Sequence, residues 1–96
     1  GKEDLRENQG MLLVFGETAK HAIVMRGMEF SIDIVWLKNG EVIDIAPNVP
    51  IEPGVSEEKL TRYYPRKEAN AVLELPAGWV EKNGVKIGEK IKIVGE

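Results

Sequence analysis

Apolar and polar residues alternate through the middle of the chain. Met28, Phe30, Ile32, Ile34 and Trp36 are interleaved with Glu29, Ser31, Asp33, Val35 and Leu37. That period of two puts the first set on one face of a β-strand. Asn39-Gly40 follows, a strong hairpin signal because a type I′ turn needs positive φ at both positions. The return strand runs from Glu41 to Ala46. A two-residue loop sets Lys38 against Glu41, Leu37 against Val42, Trp36 against Ile43 and Ile34 against Ile45. On that register Asp33 stands opposite Ala46 and shares a face with Val35, Leu37, Val42 and Asp44, away from Trp36.

The flanking pattern divides the chain into a flexible N-terminal segment over residues 1–10 and one β-rich domain over residues 11–96. Met11 to Phe15 (MLLVF) and His21 to Arg26 (HAIVMR) read as strands, and Gly27 allows a bend after the second. Residues 47–68 hold four of the five prolines and the pair Tyr63-Tyr64. They read as a stiffened excursion of the kind that often carries function. Ala69 to Leu75 is a further strand. Pro76 to Asn83 reads as a short helix with Trp79 and Val80 inward, closed by Gly84. Lys90 to Val94 (KIKIV) alternates as a last strand. The fold expected is mainly β: a small antiparallel β-sandwich or barrel of about six strands with one short helix.

Composition narrows the functional classes. The chain has 96 residues, enough for one core without a deep dedicated cleft. Thirteen basic against sixteen acidic residues give a net charge of −3, which offers no electrostatic footprint for nucleic acid or an anionic membrane. No apolar run is long enough to span a membrane. The absence of cysteine removes disulfides, thiolate nucleophiles and Cys-based zinc sites. Glu and Lys dominate the charges, a thermophile-like leaning.

Candidate chemistry is sparse. A Ser-His-Asp arrangement would need His21 beside Ser31 or Ser56, with Asp33 or Asp44 behind it, and there is no G-x-S-x-G elbow. One histidine without cysteine does not build a usual zinc site, and no calcium-loop motif occurs, so no metal or other cofactor is expected. Glycines are isolated turn residues, not a phosphate cradle. Asp33 with Asp44 or Glu74 forms the one carboxylate pair on which a hydrolase could be built. The alternative for Asp33 is structural: accepting backbone N–H groups or pairing with Arg26. Trp36 and Trp79 suit a core better than a surface. Adjacent tyrosines on an extended segment point opposite ways, so one of Tyr63 and Tyr64 should be exposed near Arg62 and Arg66. An exposed aromatic beside polar groups is what a sugar-stacking or peptide-binding site uses.

Three stretches in order carry a resemblance: GMLLVF (10–15), MRGMEFSIDIVWL (25–37) and VLELPAGWVEKNGVKIGEKIKI (72–93). They resemble the domain of unknown function 192 family (uncharacterised protein family 0127). Its members show a G-M-L-F-V-F run, a W-M-K-N-T-x-x-P-L-D-I-I-F segment and a V-L-E-L-x-A-G tail ending near a Gly-Asp. Met25, Arg26 and Asp33 match the family's Met, Lys and Asp. Glu74, Ala77 and Gly78 match the tail, and Glu89 stands for its Asp. Gly27-Met28 replaces an Asn-Thr pair and Ser31 a Pro, so any ligand role of that pair is in doubt here. Members usually begin with a further strand and a G-L-M-F/Y-R segment, which has no counterpart in this sequence. The resemblance implies a compact β-rich fold, often in exported or membrane-associated proteins, which favours an extracytoplasmic setting. It implies no agreed activity.

The expectation is therefore a non-catalytic module that binds an oligosaccharide through Tyr63, Tyr64, Trp36 and Trp79, with Arg26 and Asp33 as polar contacts. A structural or protein-interaction domain is the first alternative, working through the Pro-rich loop or an exposed sheet edge. The carboxylate-based hydrolase is the second.

Overall fold

Four antiparallel strands form one open sheet: β1 (Met11–Ala19), β2 (Ile32–Lys38), β3 (Glu41–Val49) and β4 (Ala69–Pro76), in the order β1-β4-β2-β3. Among the described residues one α-helix, α1 (Trp79–Asn83), follows β4, and a 3-10 turn covers Glu57–Lys59. The structure is a computed structural model that describes residues 10–92. The flexible segment expected before Met11 therefore lies, apart from Gly10, outside the described residues, as do the last two residues of the strand expected at Lys90 to Val94.

Asn39 (φ 50) and Gly40 (φ 86) make the hairpin turn between β2 and β3. Both adopt the positive φ that the type I′ turn requires. Lys38 faces Glu41 and Leu37 faces Val42, as the two-residue loop dictates. Beyond that point the expected register fails. β3 carries an extra residue at Ile43, so Trp36 faces Asp44, Val35 faces Ile45 and Ile34 faces Ala46. A bulge of this kind sends two adjacent side chains to the same side of the sheet. A second irregularity lies where Ile32 faces Val49, leaving Pro47-Asn48 as the surplus, with Asn48 at φ 53.

Both faces of β2 are buried, which is why Ile32 to Leu37 reads as a continuous apolar run broken only by Asp33. On one face Ile32, Ile34, Trp36 and Val72 pack with Ile23, Met25, Met28 and Val49. On the other, Val35, Leu37, Val42 and Leu75 pack with Val80, with Val85 and Ile91 at the margin. Among the described residues no second sheet supplies these layers. Irregular chain covers the first face, and α1 with the segment after it covers the second.

Of two further strands expected, the one at His21 to Arg26 does not form, and the one at Lys90 to Val94 is described only over its first three residues. His21 to Arg26 delivers Ile23 and Met25 to the core but pairs only at Ile23, whose N–H and C=O bond to Tyr63 at 3.0 and 2.9 Å. The turn at Arg26-Gly27 (φ 66 at Gly27) ends that extension before a ladder can form. In that described part of the C-terminal strand Lys90 bridges to Glu41, and the Ile91 N–H donates to the Gly40 carbonyl at 2.7 Å. Among the described residues the architecture is therefore a four-stranded open sheet faced by loops and one helix, in place of the expected six-stranded sandwich or barrel. The helix is also shorter than expected: β4 runs through Pro76, and Gly78, at φ 91, starts the turn into α1.

The loop over residues 50–68 is tied down by side chains. Glu52 accepts hydrogen bonds from the Thr61 N–H and hydroxyl at 3.0 and 2.5 Å. Arg26 makes a two-pronged ion pair with Glu57, its Nε donating to Oε1 at 2.7 Å. Arg66 donates from its backbone N–H (2.7 Å) and its guanidinium (2.7 Å at Nη2) to the buried Asp44 carboxylate. Burial pushes the Asp44 carboxyl up. The hydrogen bonds from the Arg66 side chain and from the Arg66 and Ile45 N–H groups, with the Arg66 charge, outweigh that and hold it below its usual value. A depressed carboxyl stabilises the fold above the unfolded value of about 4, and that contribution is lost as the pH falls through the lower folded value. Arg66→Gln should therefore lower stability at pH 7 and flatten its decline on acidification. Urea midpoints of both proteins at pH 7 and pH 3 check this. Parallel lines for variant and wild type would remove the pair from the account.

Candidate functional site

A cleft of about 420 Å³ opens between the end of β3 and α1. Ile45, Pro47 and Asn48 form one wall, and Gly78, Val80 and Glu81 the other. Gly84, Val85 and Lys86, just past the helix, and the buried Asp33 complete the lining. The lining is mainly apolar, with Asn48, Glu81 and Lys86 exposed as polar groups.

Asp33 builds this cleft. It points to the α1 face of the sheet and is 0% exposed. Its Oδ1 accepts from the backbone N–H of Asn48 at 2.8 Å and of Gly78 at 3.3 Å, and its Oδ2 from Val80 N–H at 2.8 Å. Pro47 has no N–H, and the bulge turns the Asn48 N–H away from the ladder. Val80 N–H belongs to the first turn of α1, where no intrahelical acceptor exists. One carboxylate thus satisfies three backbone donors from the two walls. The choice left open for Asp33, backbone donors or Arg26, resolves to backbone donors, since Arg26 pairs with Glu57.

The carboxylate pair expected for hydrolysis is not assembled. Asp44 faces Trp36 and Glu74 faces Ile34, so both point to the opposite side of the sheet from Asp33. The extra residue at Ile43 moves Asp44 to that side. Ser-His-Asp partners fare no better: His21 stacks on Phe15 with ring centroids 3.8 Å apart, and its Nε2 lies 2.8 Å from the Glu17 carbonyl oxygen. Among the described residues no cluster of three or more His, Asp or Glu is arranged to hold a metal ion. No helix among them is long and apolar enough to cross a membrane.

The aromatic residues do not converge on one groove. Trp36 is 1% exposed and donates its indole N–H to the His21 carbonyl at 3.0 Å. Tyr63 is half-buried against the same core, while Tyr64, pointing the other way, is 60% exposed. Trp79 is 37% exposed on α1, where Val80 alone turns inward. None of the four lines the cleft. The lining residues other than Asp33 escaped sequence reasoning. The signals present were Pro47-Asn48 at the end of β3 and the glycines bracketing α1.

The DUF192 family model, described as an uncharacterized ACR, matches residues 1–93. Two solved structures are similar. A protein from Sinorhizobium meliloti 1021, assigned only provisionally as a transcription regulator, is 28% identical with a TM-score of 0.76 over 91% of this chain. A protein of unknown function from Novosphingobium aromaticivorans DSM 12444 is 24% identical, with a TM-score of 0.77 over 94% of this chain. The chain spans only 64% and 61% of the length of those two proteins. No curated protein matches it.

Proposed function

The chain belongs to the domain of unknown function 192 family, and from its own geometry we propose that it is a non-catalytic binding module whose ligand site is the cleft between β3 and α1. One observation carries this reading. Asp33 commits both oxygens to backbone donors on the two cleft walls, so the carboxylate shapes a pocket and is not presented to a substrate. A preformed, largely apolar concavity with a few polar groups at its edge is the ordinary form of a small-ligand site.

The lining selects the ligand class. Ile45, Pro47, Val80 and Val85 offer apolar area, and Glu81 and Lys86 offer one charge of each sign. That set suits a short extended peptide that inserts one apolar side chain and leaves its polar backbone at the rim. Thermal denaturation against a panel of blocked tripeptides and soluble oligosaccharides tests it. A peptide with a central Leu or Phe should raise the midpoint, because a ligand at one hundred times its Kd adds about 2.7 kcal/mol to the folded state. A peptide series that leaves the midpoint unmoved contradicts the assignment.

The exposed ring of Tyr64 favours a second reading, oligosaccharide stacking outside the cleft. In that case soluble glucans or mannans move the Tyr64 amide signal while those of Val80 and Val85 stay in place.

A further inference from the structure

The two edges of the sheet are treated differently. On β3 the N–H groups are consumed: Val42 donates to the Glu89 carbonyl at 2.8 Å, Ile45 to the Asp44 carboxylate at 2.9 Å and Asn48 to Asp33. Gly88 and Ile91 in turn donate to Val42 and Gly40 carbonyls at 2.7 Å each, and Pro47 carries no N–H. These are the devices by which a sheet edge is closed to further pairing: cover, proline and an inward charge. The other edge, β1, has none of them over Met11–Phe15. The run holds no charge and no proline, and among the described residues these positions make no hydrogen bond outside the β4 ladder. Its side chains on the α1 face are apolar and uncovered, with Val14 74% and Leu12 37% exposed. α1 does not reach them, since Val80 packs over Val35, Leu37, Val42 and Leu75.

We propose that β1 is a self-pairing edge, joining two copies of the chain antiparallel about Leu13 into one continuous sheet. The run is self-complementary in that register. Leu12 stands beside Val14 of the partner subunit on one face, and Met11 beside Phe15 of the partner subunit on the other. Both Leu12–Val14 contacts lie on the exposed stripe, so pairing removes the two most accessible apolar side chains of β1 from water while completing its backbone hydrogen bonds. No like charges are opposed, because the nearest charged residue toward the C-terminus is Glu17. Five residues a side bury less than the roughly 1,200 Å² of a standard interface, so the dimer is weak and concentration-dependent.

Sedimentation equilibrium over rising concentration, with a spin label at Gly16→Cys, tests the proposal. Gly16 is exposed and a Cβ there meets nothing within 4 Å, so the label leaves the fold intact. The average mass should climb toward twice that of the chain, and Val14→Lys should return it to the monomer with an unchanged circular dichroism spectrum. Labels six residues out of register should lie roughly 20–25 Å apart, from a rise of about 3.3 Å per residue. Three results would overturn the proposal: a monomer up to about 1 mM, where even millimolar affinity would register; a dimer indifferent to Val14→Lys; or a label distance well outside that range. A strict monomer whose Leu12 and Val14 amide signals respond to added extended peptides would assign the edge to a foreign strand instead.

Discussion

Asp33→Ala should lower the stability of this protein by about 3–4 kcal/mol, since it strips a charge-assisted acceptor from three backbone donors at once. For a domain of this length the melting temperature falls by about 4–8 °C per kcal/mol, so a drop on the order of 12–32 °C is expected. Asp33→Asn should cost about half as much. Its amide oxygen keeps one set of donors, while its NH₂ is turned toward another N–H and leaves that donor unsatisfied. Scanning calorimetry or urea unfolding of both variants checks the ordering. Equal midpoints for Asp33→Asn and wild type would show that the carboxylate charge is not what holds the walls.

Trp36→Ala should be at least as severe, about 3–5 kcal/mol, because it empties the largest fully buried side chain of the sheet. It also abandons the His21 carbonyl, which loses the indole N–H. Trp79→Ala, on the half-exposed rim of α1, should cost less than about 1 kcal/mol. The contrast separates a core tryptophan from a surface one. Fluorescence-monitored urea unfolding of the two variants provides it, and comparable losses would contradict the burial assigned to Trp36.

How much of this was legible in the sequence depended on how local the cause was. Asn39-Gly40 announced its turn, and the two residue pairs nearest it followed. Ile43 then broke the register without any signal, because a β-branched residue at a bulge looks the same as one in a regular strand. That single slip reassigned Asp44 to the opposite face and dissolved the carboxylate pair. Period-two alternation separated Ile32, Ile34 and Trp36 from Asp33, Val35 and Leu37. It was silent on which face is inward, since both are covered. HAIVMR and KIKIV both have strand-like composition, but the described residues of each also cover the sheet: Ile23 and Met25 pack on one face, Ile91 on the other. The role of Asp33 as a backbone acceptor was readable in kind. Its donors, 15, 45 and 47 residues away, lay beyond any local pattern.

Family membership fits this division. The match over residues 1–93 spans the described sheet and its helix, and the family is described only as uncharacterized. Function therefore has to be sought in the geometry of the site, and here that geometry is an apolar cleft held open by one buried carboxylate.

Amide chemical-shift mapping of the isotope-labelled chain, titrated with the apolar tripeptide series, tests the cleft most directly. The largest shifts should fall on Asn48, Gly78, Val80, Val85 and Lys86, with Tyr64 unmoved. Shifts centred on Tyr64, or none at the cleft at saturating peptide, would contradict it.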